Sequence, residues 1–151
     1  MKYGIIMMFV VVALSARRQI PEAPELLSQF QTEPWSARQL MAPADLAAMI
    51  SGPGANIPII ICVGPGALIK GSLDMGPAQE KENIEKLKQQ LSKMRRDTEI
   101  VIYCGCCPFE HCPNIRPAFT LLNEMKFSNA HLLNIEHNIK TDWVAKGYPQ
   151  A

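Results

Sequence analysis

The run Ile57-Pro58-Ile59-Ile60-Ile61-Cys62-Val63 contains no polar side chain. A strand with one wet face alternates apolar and polar residues, so an unbroken apolar run of this length predicts a strand covered on both faces, the kind found in parallel sheets. Gly64-Pro65-Gly66 ends it. A second run of the same character, Glu99-Ile100-Val101-Ile102-Tyr103, predicts another buried strand, and Ala130-His131-Leu132-Leu133-Asn134-Ile135 a third.

Helices are expected between these strands. From Gln79 to Arg95 the apolar residues Ile84, Leu87, Leu91 and Met94 recur at three- and four-residue spacing with Lys and Glu between them, which predicts an amphipathic helix. The charges Lys86, Lys88, Lys93, Arg95 and Arg96 are its wet face. Pro43 to Ile50 reads as a helix begun at a proline and ended by Gly52-Pro53-Gly54. Arg116 to Met125 and Asn138 to Ala145 read as two more. Short strands are expected within Trp35 to Leu40 and near Ser72 to Asp74. Strands that alternate with helices imply an α/β domain, a central mainly parallel β-sheet with helices on both faces. At 151 residues there is room for one such domain.

Ahead of it, Lys2 precedes the apolar stretch Ile5 to Ala13 and then Leu14-Ser15-Ala16. A positive start, a short apolar core and a small-residue end predict a signal peptide over residues 1–16 and an exported protein, periplasmic or secreted. The stretch is short for a membrane span, which needs about 20 apolar residues; membrane contact is expected only if it stays uncleaved. Residues 17–34, with Pro21, Pro24 and Pro34, read as a leader or spacer with one short helical possibility at Glu25 to Phe30, and the domain is expected over 35–151. Removing the segment takes one lysine, leaving 14 basic against 14 acidic residues. A net charge of zero provides no footprint for nucleic acid.

Four of the five cysteines lie in one loop, Tyr103-Cys104-Gly105-Cys106-Cys107-Pro108-Phe109-Glu110-His111-Cys112-Pro113-Asn114, between a predicted strand and a predicted helix. In α/β sheets ligands bind at the carboxyl ends of strands, where helix N-termini offer free N–H groups and partial positive charge. Such surroundings lower a thiol's pKa and favour the nucleophilic thiolate. Cys62, inside an apolar run, is expected to be a buried inert thiol, and Tyr103, Trp143 and Tyr148 packing residues.

This order of elements resembles a single-domain rhodanese, a sulfurtransferase-type fold. The resemblance rests on the strand ending in Tyr103-Cys104, the helix entered at Arg116-Pro117-Ala118, Met125-Lys126-Phe127-Ser128-Asn129-Ala130 before a strand, and Asp142-Trp143 with Lys146-Gly147-Tyr148-Pro149. Lys70-Gly71-Ser72-Leu73-Asp74-Met75 is similar to the family's glycine-led entry into a short strand. Two features depart from it. Cys62-Val63-Gly64 stands where the family commonly has Asp-Val-Arg, and eleven residues separate Cys104 from Arg116 where the familiar loop has about four.

The resemblance implies sulfur chemistry without a cofactor. One thiolate, Cys104 by its position at the strand end, would take the outer sulfur of a small donor such as thiosulfate, a polysulfide or a persulfide. A thiol acceptor would receive it. Cys106, Cys107 and Cys112 are then acceptor or resolving thiols, because a second thiolate converts a persulfide into a disulfide by exchange. Arg116 would hold an anionic donor, and His111 would carry a proton or act as a ligand. Two other readings stay open. Cys104, Cys106, Cys107 and Cys112, with His111, could hold a metal, Cu(I) more readily than zinc because thiolate clustering suits soft ions. The four thiols could instead form two disulfides, in any of three pairings, that lock the loop of a non-catalytic binding module.

Overall fold

In a computed structural model, residues 33–53 and 56–151 are described. The expected signal peptide, most of the spacer and the possible helix at Glu25 to Phe30 lie outside the described residues. Among the described residues no helix is long and apolar enough to cross a membrane.

Five strands form one sheet: β1 (Leu40–Met41), β2 (Ile59–Cys62), β3 (Leu73–Asp74), β4 (Ile100–Tyr103) and β5 (Ala130–Leu133). Their order is β1-β5-β4-β2-β3, and every neighbouring pair is parallel. The apolar runs take the centre, β2 pairing with β4 in the register Ile59 to Ile100 through Cys62 to Tyr103. The helices are α1 (Pro43–Ser51), α2 (Lys81–Ser92), α3 (Ile115–Glu124) and α4 (Ile139–Asp142).

The alternation of side chains along a strand divides the core into two layers. Ile61, Ile100, Ile102 and Cys104 face Leu87 and Leu91 of α2 and Phe119 and Leu122 of α3. Ile60, Cys62, Val101 and Tyr103 face Leu46 of α1 with Ile139 and Trp143. Both faces are therefore covered, as the unbroken runs require. Each fully buried Leu or Ile contributes about 1.5–3 kcal/mol.

Three boundaries differ from the sequence reading. The stretch Trp35 to Leu40 is mostly a 3-10 turn (Ala37–Gln39), with strand only at Leu40–Met41. The helix expected from Arg116 starts at Ile115, so Pro117 sits inside its first turn, where a missing N–H costs no helical bond. The last helix breaks at Trp143 (φ −125°, ψ −62°) and resumes as a 3-10 turn, Val144–Lys146. Burial explains that break: Trp143 is fully enclosed, donates from Nε1 to the Pro149 carbonyl at 2.9 Å and meets the Tyr148 ring edge-on at 5.2 Å.

Candidate functional site

Cys104 is the first residue beyond β4, at the carboxyl end of the sheet. Its place in the strand alternation turns it toward the α2/α3 layer, while Tyr103 turns to the opposite one. There the Tyr103 oxygen accepts from the Leu68 and Ile69 N–H groups and meets Ser72 Oγ at 3.1 Å.

The loop from Gly105 to Asn114 is held by bonds to the rest of the domain. The Gly105 carbonyl accepts the Ile139 N–H at 2.8 Å, and the Phe109 N–H donates to the Ile135 carbonyl at 3.0 Å. Phe109 begins a 3-10 turn (Phe109–His111) and packs edge-on against Trp35. Cys112, fully buried, donates its N–H to the Phe109 carbonyl.

Three of the predicted thiols converge. Cys104, Cys106 and Cys112 place their sulfurs within 4.8 Å of one another. The Cys104 and Cys106 sulfurs are 3.1 Å apart, and those of Cys106 and Cys107 3.3 Å. All four loop cysteines are free thiols, as is Cys62. Cys106 is exposed and Cys107 half-buried, whereas Cys104 and Cys112 are enclosed. The rim of the sheet thus has an inner sulfur pair and an outer one.

Donors gather on the Cys104 sulfur. The neighbouring Cys112 thiol lowers its pKa most, burial opposes its charge, and the Cys106 backbone and thiol and the Asn114 amide lower it further, so that Cys104 is held down to about 5. The donor thiols shift the other way: sharing a proton with Cys104, reinforced by burial, pushes Cys112 far up. Burial, with the neighbouring sulfurs of Cys104 and Cys107, pushes Cys106 up to about 12. The shifts are opposed, downward at Cys104 and upward at the two thiols beside it.

Two residues missed in the sequence complete this pocket. Asn114 is 3% exposed and donates from Nδ2 to the Cys104 sulfur at 3.3 Å, while its Oδ1 accepts the Gln79 N–H at 3.0 Å. An asparagine just before a helix reads as a cap, which conceals this role. Gly64 lies against the other side of the thiol, so close that a Cβ there would stand 2.4 Å from the Cys104 sulfur. The departure at Cys62-Val63-Gly64 was the available signal, since a larger residue could not occupy that place.

The remaining expected site residues lie elsewhere. Arg116 forms an ion pair with Glu33, donates to the Glu110 carbonyl at 2.7 Å and lies over the Trp35 ring. With His111 it lines a surface groove that also includes Glu33, Trp35 and Phe109. The five-residue metal set is not assembled as a whole; the residues that could hold a soft ion are Cys104, Cys106 and Cys112, without Cys107 or His111. Cys62 sits in the opposite layer, its sulfur 3.6 Å from the Gly64 carbonyl, and burial pushes its pKa up, as expected of an inert thiol.

The chain is similar in structure to a rhodanese-like domain from Anabaena, determined in solution, with a TM-score of 0.52 and 18% identity over 75% of this chain and 78% of that one. A likeness at this identity establishes the fold, and the fold is rhodanese-like. No protein-family model and no curated protein matches the sequence.

Proposed function

We propose that this rhodanese-like domain is a sulfurtransferase of the thiol-relay kind, in which Cys104 takes sulfur from a small donor as a persulfide and passes it to a thiol. The observation that carries this reading is the convergence at the carboxyl end of β4 of three sulfurs within 4.8 Å of one another, with the Cys106 sulfur 3.1 Å and the Asn114 amide nitrogen 3.3 Å from the Cys104 sulfur. The thiolate is the attacking species in sulfur exchange, and a sulfur atom appended to Cys104 needs the same donors for its own charge.

The step is a displacement. The Cys104 thiolate attacks the outer sulfur of the donor, a new S–S bond forms, and the inner group leaves, as sulfite from thiosulfate or as a thiolate from a persulfide. The sulfane sulfur remains on Cys104 until a thiol takes it. Thiosulfate, polysulfides and low-molecular-weight persulfides are the donor class. The segment at residues 1–16 supports an exported location, periplasmic or secreted.

The test uses the full chain, freed of metal with a chelator, reduced and desalted. It is exposed to thiosulfate or to inorganic polysulfide and weighed intact. The expected result is a gain of one sulfur atom on the Cys106→Ser variant or on the parent, abolished by Cys104→Ser. A chain that neither gains sulfur nor consumes its thiols with any of these donors is not a sulfurtransferase.

A further inference from the structure

The outer thiol is folded back over the inner one by a turn that accepts only glycine. Gly105, between Cys104 and Cys106, has φ +80°, and a Cβ there would stand 2.9 Å from the Ile139 Cβ. Its carbonyl is tied to the Ile139 N–H at 2.8 Å. The two sulfurs are therefore brought to 3.1 Å by a turn anchored on another element. Behind Cys104 the Gly64 backbone closes the space. In front stands Cys106, which is exposed, while Cys104 is 4% exposed and Cys112 fully buried.

Resting on the persulfide reading above, we infer that Cys106 is the resolving thiol, so that the domain reduces sulfane sulfur to sulfide and itself becomes a Cys104–Cys106 disulfide. Once Cys104 holds the extra sulfur as a perthiolate, that terminal sulfur takes the proton of Cys106, and the Cys106 thiolate so formed attacks the Cys104 sulfur. The Cys104–Cys106 S–S bond forms, the bond to the sulfane sulfur breaks, and that atom departs as hydrosulfide with the Cys106 proton. The sulfane sulfur gains two electrons and the thiol pair loses two. A separation of 3.1 Å lies within the range from which such an attack proceeds, and closing it to a disulfide of about 2.05 Å shifts the outer sulfur by roughly 1 Å.

The partner this requires is an external dithiol reductant, which returns the two electrons by attacking the disulfide at its exposed sulfur, Cys106. A disulfide between Cys104 and Cys112 would present no such exposed sulfur, which is why the outer thiol is assigned the role. Release as sulfide is thus the fate of the sulfur when Cys106 reacts before an external acceptor thiol takes it.

The experiment is a single turnover. Full-length chain is reduced with dithiothreitol, desalted without oxygen and mixed with one equivalent of glutathione persulfide, whose leaving group is the glutathione thiolate, so that sulfide arises only from the resolving step. The parent is expected to release one sulfide per chain, to lose two free thiols and to give a Cys104–Cys106 disulfide in an unreduced peptide map; dithiothreitol then restores turnover. With Cys106→Ser, sulfide release is expected to fall at least about tenfold while the added sulfur stays on Cys104. A parent chain that holds a stable persulfide and releases no sulfide overturns the inference and leaves the persulfide reading intact. So does a disulfide mapped to Cys104 and Cys112, or undiminished release from Cys106→Ser. Absence of added sulfur from both chains, with all thiols still free, defeats the persulfide reading itself. The parent's sulfide and thiol stoichiometry decides between these outcomes even if the variant folds poorly.

Discussion

Asn114 and Cys104 are joined by a 3.3 Å hydrogen bond from the amide nitrogen to the sulfur, and the same amide's oxygen is held by the Gln79 N–H at 3.0 Å. Asn114 stands immediately before α3, yet its side chain makes no capping bond there. Both of its polar ends are committed between the sulfur and the segment that leads into α2. The charge on Cys104 is thereby coupled to the packing of two helices against the sheet.

Removing that donor weakens the thiolate. A hydrogen bond to a charged group contributes about 1.5–3 kcal/mol, equivalent to about one to two pKa units. Asn114→Ala is expected to raise the pH midpoint of Cys104 alkylation by about one unit. The measurement is the iodoacetamide rate against pH, assigned to Cys104 by peptide mass. A midpoint that stays where the parent has it refutes the coupling.

The pH dependence of the parent follows from the opposed shifts of the three thiols. With Cys104 held down to about 5, its labelling is expected to be nearly level from neutral pH to about pH 6 and to fall as pH drops through 5. Cys106, pushed up to about 12, is expected to label only slowly at neutral pH despite its exposure. The stability contributions have opposite signs. The Cys104 contribution is complete above the unfolded thiol value of about 8.5 and is lost as pH falls through the folded one. Those of Cys106 and Cys112 are complete below the unfolded value and are lost as pH rises toward the folded ones. Faster labelling of Cys106 than of Cys104 at pH 6 contradicts this assignment.

Gly64→Ala is a test of the wall behind the sulfur. The added methyl would meet the Cys104 sulfur at 2.4 Å and the Cys104 carbonyl oxygen at 2.5 Å, and a backbone oxygen cannot swing aside as a flexible side chain can. A loss of about 1–3 kcal/mol in urea unfolding is expected, together with a changed Cys104 labelling rate. Full stability in this variant means that the strand ends stand farther apart than described.

Tyr103→Phe tests the opposite layer. The phenol oxygen accepts two backbone N–H groups, those of Leu68 and Ile69, and burial raises its own pKa to about 12. Phenylalanine fills the ring's space but leaves both N–H groups without that partner, at a cost of about 1–3 kcal/mol. The unfolding free energy should drop by that amount while Cys104 alkylation, on the other face of the sheet, keeps its pH midpoint.

The elements most legible in the sequence were those whose patterns are local. Ile57 to Val63 and Ile100 to Tyr103 announce doubly buried strands because no face of them can meet water. Ile84, Leu87 and Leu91 announce a helix because three- and four-residue spacing aligns them on one side. The short edges were less legible: Leu40–Met41 pairs through just two residues with β5, and so short a strand has no periodicity to read. Arg116 shows the same limit at the site, since its partner Glu33 is 83 residues away and the pairing exists only once the chain has folded.

By itself, then, the sequence determined a parallel α/β sheet and a cluster of thiols between its fourth strand and the helix that follows, because strand burial and loop position are written in neighbouring residues. Which thiol has its pKa lowered was decided by tertiary structure. Gly64, Cys112 and Asn114 reach Cys104 from different parts of the chain, and a thiolate is stabilised by the donors that surround it in space.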